Sequence, residues 1–134
     1  MSIVIDANIA VDWFLADPGR AAEVALDATA KEGAIVPPLW RWEVQDVLRR
    51  LQLAGRLSKS IDFIRGELRA LPITIDNGLT GLFGDESNIA VQYNLTVYDA
   101  AYLELALRLR VPLATSDKAL ASAAKAAKIL HPRR

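Results

Sequence analysis

Residues 2–8 read Ser2-Ile3-Val4-Ile5-Asp6-Ala7-Asn8, three β-branched apolar residues running straight into an aspartate. An unbroken Ile-Val-Ile suits a strand buried on both faces better than one with a solvent side. Such a strand needs cover above and below, and the chain downstream supplies it. Further short apolar runs fall at Ala34–Val36, Ile73–Ile75 and Leu113–Ala114, with a weaker one at Ile129–Leu130. Longer stretches of helical periodicity separate them. Short strands alternating with helices predict an α/β fold, with a parallel sheet covered on both faces.

Local signals place the helix ends. Asp17-Pro18 reads as an N-cap followed by proline at the first helical position. Gly55 follows "WEVQDVLRRLQLA" where a C-terminal glycine belongs. Ser58 or Ser60 can cap the next helix, which runs to about Leu71 before Pro72. With 134 residues and no linker, repeat or low-complexity segment, residues 1–134 read as one domain.

Composition narrows the function classes. The 52% apolar and 24% charged content is that of an ordinary globular protein. The absence of cysteine excludes disulfide scaffolds, thiolate zinc sites and cysteine nucleophiles. No basic stretch precedes an apolar core at the N-terminus, and no run approaches membrane-spanning length. A soluble cytoplasmic protein without a membrane partner is the expectation. Net charge is zero but unevenly spread: residues 41–69 carry 7 basic and 4 acidic groups, and residues 111–134 carry 5 and 1. Such basic segments can face a polyanion.

Four acids stand at the ends of elements. Asp6 ends the first strand, and Glu43 sits in the first turns of the helix after Pro37-Pro38. Asp99 lies near the start of the helix "TVYDAAYLELALRLR", and Asp117 follows "PLATS". In open parallel sheets ligands bind beyond the carboxyl ends of the strands, where Asp6 and Asp117 fall. Each acid also has a plainer explanation. Asp6 and Asp117 can cap helices, Glu43 suits a helix N-terminus through the dipole, and Thr96-x-x-Asp99 fits a capping box.

Facing direction adds weight for two of them. At about 100° per residue, Asp99 lies roughly 140° from Glu104 and 180° from Arg108, an i,i+4 pair read as the water-facing side. Asp99 then points into the fold or a cleft. Glu43 shares a stripe with Leu39, Trp40 and Val47, where an unpaired carboxylate is costly. A divalent cation shared by Asp6, Glu43, Asp99 and Asp117 would remove that cost. An oxygen-only donor set suits Mg²⁺ or Mn²⁺ rather than zinc. Loaded with metal, such a site can bind a phosphodiester and activate water. Asn8, Thr115 and Ser116 are short polar neighbours able to orient a ligand or hold a metal-bound water, though Asn8 and Ser116 suit turns equally well.

Taken together, Asp6-Ala7-Asn8 after its strand, "VPPLWRWEVQDVLRR", "LTVYDAAYLELA" and "PLATSDKAL" resemble the PIN-domain ribonucleases. The closest subgroup is the VapC-type toxins of prokaryotic toxin–antitoxin pairs. The resemblance covers nearly the whole chain in order. It implies a three-layer α/β/α sandwich on a short, mainly parallel five-stranded sheet. It further implies an acidic metal site of Asp6, Glu43, Asp99 and Asp117 supported by Thr115, Mg²⁺ or Mn²⁺ dependence, RNA as substrate, frequent homodimerisation and a cognate antitoxin. Relatives often carry asparagine three residues after the glutamate; here Asp46 stands there, and is read as facing solvent.

The basic residues Arg41, Arg49, Arg50, Arg56, Lys59, Arg65 and Arg69 surround the second helical pair and can steer an RNA backbone or form an ordinary solvated face. Leu39, Trp42 and Phe63 can form a dimer or antitoxin surface. His131 is read as exposed and inert. Three rival functions fit the residues less well. A haloacid-dehalogenase-type phosphatase needs an aspartate two residues after the first, where Asn8 stands. A receiver-like phosphoacceptor could use Asp76, but the first strand ends without an acid pair. A non-catalytic RNA- or protein-binding PIN module would not need all four acids.

Overall fold

The protein is described here by a computed structural model covering residues 2–78 and 83–132. Its elements follow in the order β1 (Ile3–Ile5), α1 (Ala7–Asp12), α2 (Arg20–Glu32), β2 (Ala34–Val36), α3 (Trp40–Leu53), α4 (Ile61–Ala70), β3 (Ile73–Ile75), α5 (Glu86–Tyr93), α6 (Val97–Leu109), β4 (Leu113–Ala114) and α7 (Lys118–Ala126). The four strands pair in parallel in the order β3-β2-β1-β4. Helices flank the sheet as layers: α1 packs on α2 and α3, α6 packs on α5 and α7, and both α2 and α6 lie against β1 and β4. Val4 and Ile5 are wholly shielded, as a strand with helices on both faces requires.

A fifth strand was expected at Ile129–Leu130. Among the described residues it is reduced to one parallel bridge between Leu130 and Leu113. The Leu113 N–H donates to the Ile129 carbonyl at 2.7 Å, and the His131 N–H to the Leu113 carbonyl at 2.9 Å. His131 is thereby partly buried rather than exposed, and burial holds its imidazole below the usual range.

Most helix ends lie where local chemistry puts them. The Ser60 hydroxyl accepts from the Phe63 N–H at 3.1 Å and starts α4. Gly55 follows α3 at φ +69°, the left-handed conformation glycine adopts freely. The start of α2 differs from the Asp17-Pro18 expectation. Gly19 occupies the cap at φ +86° without any side-chain cap bond, so the turn made there delays the helix to Arg20. No described helix is long and apolar enough to cross a membrane.

Strand order then fixes where a site can form. The chain builds outward from β1 to β2 and β3, then returns to place β4 on the other side of β1. Between β1 and β4 the strand order reverses, and in open parallel sheets ligands bind beyond the carboxyl ends of the strands at such a point. Asp6 and Thr115 are the residues that leave these two strands.

Candidate active site

Asp6 is the first residue past β1, and its N–H donates to the Ala114 carbonyl of β4 at 3.2 Å. It is 4% exposed. As N-cap of α1 it accepts the Ile9 N–H on Oδ1 at 2.8 Å. Its Oδ2 accepts a hydrogen bond from the buried Thr115 hydroxyl. Burial is the main influence on its titration and pushes its pKa up to about 6, against the lowering effect of both hydrogen bonds. The charges of Asp117 and Asp99 push in the same direction as burial.

Three further acids reach this point from other elements. Asp117 caps α7, accepting the Leu120 N–H at 2.9 Å, while its own N–H donates to Thr115 Oγ1 at 3.0 Å. Asp99 sits in the first turn of α6, where the Thr96 hydroxyl accepts its N–H at 3.1 Å. Burial first, then the charges of Asp117 and Glu43, raises the Asp99 pKa. Glu43, in the first turn of α3, accepts the Tyr102 hydroxyl on Oε1 at 2.5 Å. Asp6 thus feels the charges of Asp117 and Asp99, and Asp99 those of Asp117 and Glu43.

The plain capping roles are therefore real for Asp6 and Asp117, and coexist with convergence. A cap bond uses one of a carboxylate's roughly four lone-pair sites. Among the described residues none of the four acids forms an ion pair. Nor do three Asp, Glu, His or Cys side chains there stand close enough, as placed, to grip one ion together. The donor set itself fits a hard cation. It is all oxygen, none of its charges is paired with a cation among the described residues, and its most buried member resists ionisation chiefly because it is buried.

Several readings of individual residues change. Glu104 and Arg108 do not mark the water-facing side. Their side chains are 13% and 22% exposed, and Arg108 also holds Asp76 at 3.1 Å. Helix α6 is enclosed between the sheet and its neighbours, so Asp99 owes its direction to its place in the first turn rather than to opposing a solvent face. Asn8 is exposed and makes no side-chain hydrogen bond among the described residues. The Ser116 hydroxyl turns to Asp12, a carboxyl whose pKa burial raises and that bond lowers, with burial the larger effect. Asp46 is exposed and pairs with Arg50 at 3.4 Å.

Tyr102 went unremarked in the sequence. It is 1% exposed, one helical turn after Asp99 on α6. Burial foremost, then its bond to Glu43 and the charges of Glu43, Asp6 and Asp99, drives its phenol well above the usual range, so it stays a donor. The signal was available: a tyrosine inside an otherwise aliphatic helix face needs a partner for its hydroxyl.

A parallel sheet with this strand order and four acids around its switch point defines a class of protein, and sequence comparison identifies it. The PIN-domain profile matches residues 3–126, and the chain belongs to the PIN-domain family. Within that family it stands with the VapC-type proteins. It is 37% identical over 123 residues to Ribonuclease VapC1 of Mycobacterium tuberculosis, covering 90% of this chain and 89% of that one. Ribonuclease VapC3 of the same organism is 33% identical over 122 residues, covering 90% and 86%. The crystal structure of PAE2754 from Pyrobaculum aerophilum superposes with a TM-score of 0.68 at 20% identity, over 92% of this chain and 84% of that one. That last likeness speaks to the fold alone.

Proposed function

We propose that residues 1–134 form one PIN domain acting as a metal-dependent endoribonuclease, the toxin of a toxin–antitoxin pair, which hydrolyses RNA phosphodiester bonds in the cytoplasm. The observation that best supports this reading is that the charges of Asp117 and Asp99 act on Asp6, and those of Asp117 and Glu43 on Asp99, while none of the four forms an ion pair among the described residues. The similarity to two ribonucleases along nine-tenths of the chain supports the substrate class.

Asp6, Glu43, Asp99 and Asp117 would hold Mg²⁺ or Mn²⁺, directly or through water. When bound, the cation supplies positive charge for the phosphate and acidifies a water. Thr115 keeps Asp6 from rotating, because it spans the Asp6 carboxylate and the Asp117 N–H. Arg41, Arg49, Arg65 and Arg69 line one groove of about 660 Å³ among α3, α4 and β3 and would draw an RNA backbone toward this side of the molecule. Exposed Trp42 and Phe63 support a homodimer contact and a cognate antitoxin that inhibits the enzyme.

A second reading, a PIN module that binds RNA or protein without cutting, draws on the wide spacing of the acids as placed. One experiment separates the two. End-labelled single-stranded RNA incubated with the protein should be cut in Mg²⁺ or Mn²⁺, and not in EDTA. RNA retained by the protein yet intact in both metals would favour the binding module.

A further inference from the structure

We propose that Tyr102 is a positioning residue for the acidic site, holding Glu43 beside Asp99 so that the Glu43 carboxylate is in place before any cation arrives. The inference rests on the metal-site reading above and adds a residue to it.

Glu43 and Asp99 belong to different connections, α3 lying between β2 and β3, and α6 between β3 and β4. Nothing in the backbone obliges the two carboxylates to stay together, and their charges repel. Glu43 is partly exposed and carries three rotatable side-chain bonds, so water offers it an easy escape. The Tyr102 hydroxyl closes that route. It crosses 59 positions of sequence to donate to Glu43 Oε1 at 2.5 Å. Oε2 accepts no hydrogen bond among the described residues and stays available to a ligand. Tyr102 itself is fixed, being almost wholly buried and locked in the core. Asp99 and Tyr102 sit one turn apart on α6, so a single rigid helix presents one acid and the anchor of another. Groups of this kind, which orient a ligand without touching the ion, typically change metal affinity by roughly 10–100-fold when lost.

The test is Mn²⁺ binding to the full chain, followed by titration calorimetry or by the loss of the free-ion EPR signal. Tyr102→Phe should raise the Mn²⁺ dissociation constant by about tenfold or more with an unchanged circular dichroism spectrum, and RNA cleavage should recover at high Mn²⁺. The same change made in a Glu43→Gln background should have little further effect, because Tyr102 acts through Glu43. Equal losses in both backgrounds would assign Tyr102 a merely structural role and overturn the inference. So would an unchanged dissociation constant in Tyr102→Phe while wild-type protein binds Mn²⁺. Wild-type protein that takes up no Mn²⁺ would instead overturn the metal site, and the role of Tyr102 with it. Should Tyr102→Phe not fold, a crystal of wild-type protein with Mn²⁺ decides: the hydroxyl stays on one Glu43 oxygen, or lies turned away from it and the inference falls.

Discussion

Helix α6 contributes to two groups of carboxylates, and they behave in opposite ways. At the end of β3, Asp76 and Glu104 flank Arg108, with contacts of 3.1 and 2.7 Å. Burial alone would raise the Asp76 pKa, but the Arg108 and Gly78 hydrogen bonds and the Arg108 charge outweigh it and hold the carboxyl below its usual range. Toward the ends of β1 and β4, Asp6 and Asp99 feel neighbouring acids and pair with no arginine or lysine among the described residues, and the pKa values of Asp6 and Asp99 rise, burial being the larger cause. Position at a strand end is common to both groups. Only the second lacks its cation, and that absence of compensation singles it out as a place to bind one. The same contrast disposes of Asp76 as a phosphoacceptor, since its carboxylate is already held by Arg108 and by the Gly78 N–H at 2.7 Å.

The largest expected effect breaks the comparison at its functional end. Asp6→Asn and Asp99→Asn should each lower Mg²⁺-dependent RNA cleavage by a factor on the order of a thousand, equivalent to several kcal/mol of transition-state stabilisation. Asp76→Asn should leave the rate within a factor of about two, since it touches no part of the proposed site. Comparable losses from all three, measured as initial rates on one RNA, would erase the distinction drawn between the groups.

Next in size is a pH effect of opposite sign in the two places. Folded Asp6 titrates at about 6 against an ordinary 3.8, so between those values the folded chain keeps a proton that the unfolded chain has released. Metal-free stability from this group is therefore highest at low pH and falls as pH rises through 6, by about 3 kcal/mol in all. Asp6→Asn should match wild type below about pH 4 and melt at higher temperature than metal-free wild type at pH 7. Asp76, with its pKa lowered, contributes stability above its unfolded pKa that disappears as the medium is acidified. Asp76→Asn should accordingly be the less stable variant at neutral pH. Added Mn²⁺ should raise the wild-type melting temperature most above pH 6, where Asp6 is ionised.

Smaller still is the loss of the compensating charge. Arg108→Met leaves Asp76 and Glu104 partly buried without a cationic partner and should cost about 2 kcal/mol in urea unfolding at pH 7, less than for a fully buried pair because solvent reaches all three side chains. Mn²⁺ affinity should not change. At the bottom of the scale, Asp46→Asn removes an exposed acid paired only with Arg50, and neither rate nor melting temperature should shift measurably.

Much of this was legible in the sequence, and the limits have physical causes. All four strands appear at the runs from which they were expected, because residues buried on both faces must be continuously apolar. Ser60, Thr96 and Asp117 cap the helices they precede, since capping is decided within three residues. The start of α2 lies beyond Asp17-Pro18 because Gly19 takes a left-handed conformation open to glycine, a local signal that the Asp-Pro pair outweighed. The four acids were named from their places at element ends, but the contrast between compensated and uncompensated groups needed the fold. Arg108 meets Asp76 across 32 positions, and Tyr102 meets Glu43 across 59. Periodicity on α6 suggested that Glu104 and Arg108 face water, whereas α6 is a helix wrapped by other elements on nearly every side, and its polar residues are paired inward.

The most direct measurement is anomalous scattering at the manganese edge from crystals grown with Mn²⁺. A peak lying about 2.0–2.3 Å from oxygens of Asp6 and Asp99, with Glu43 and Asp117 turned toward it directly or through water, is the predicted result. Crystals in which no manganese lies among these acids, while Asp6 and Asp117 keep only their bonds to the amides of Ile9 and Leu120, would contradict it.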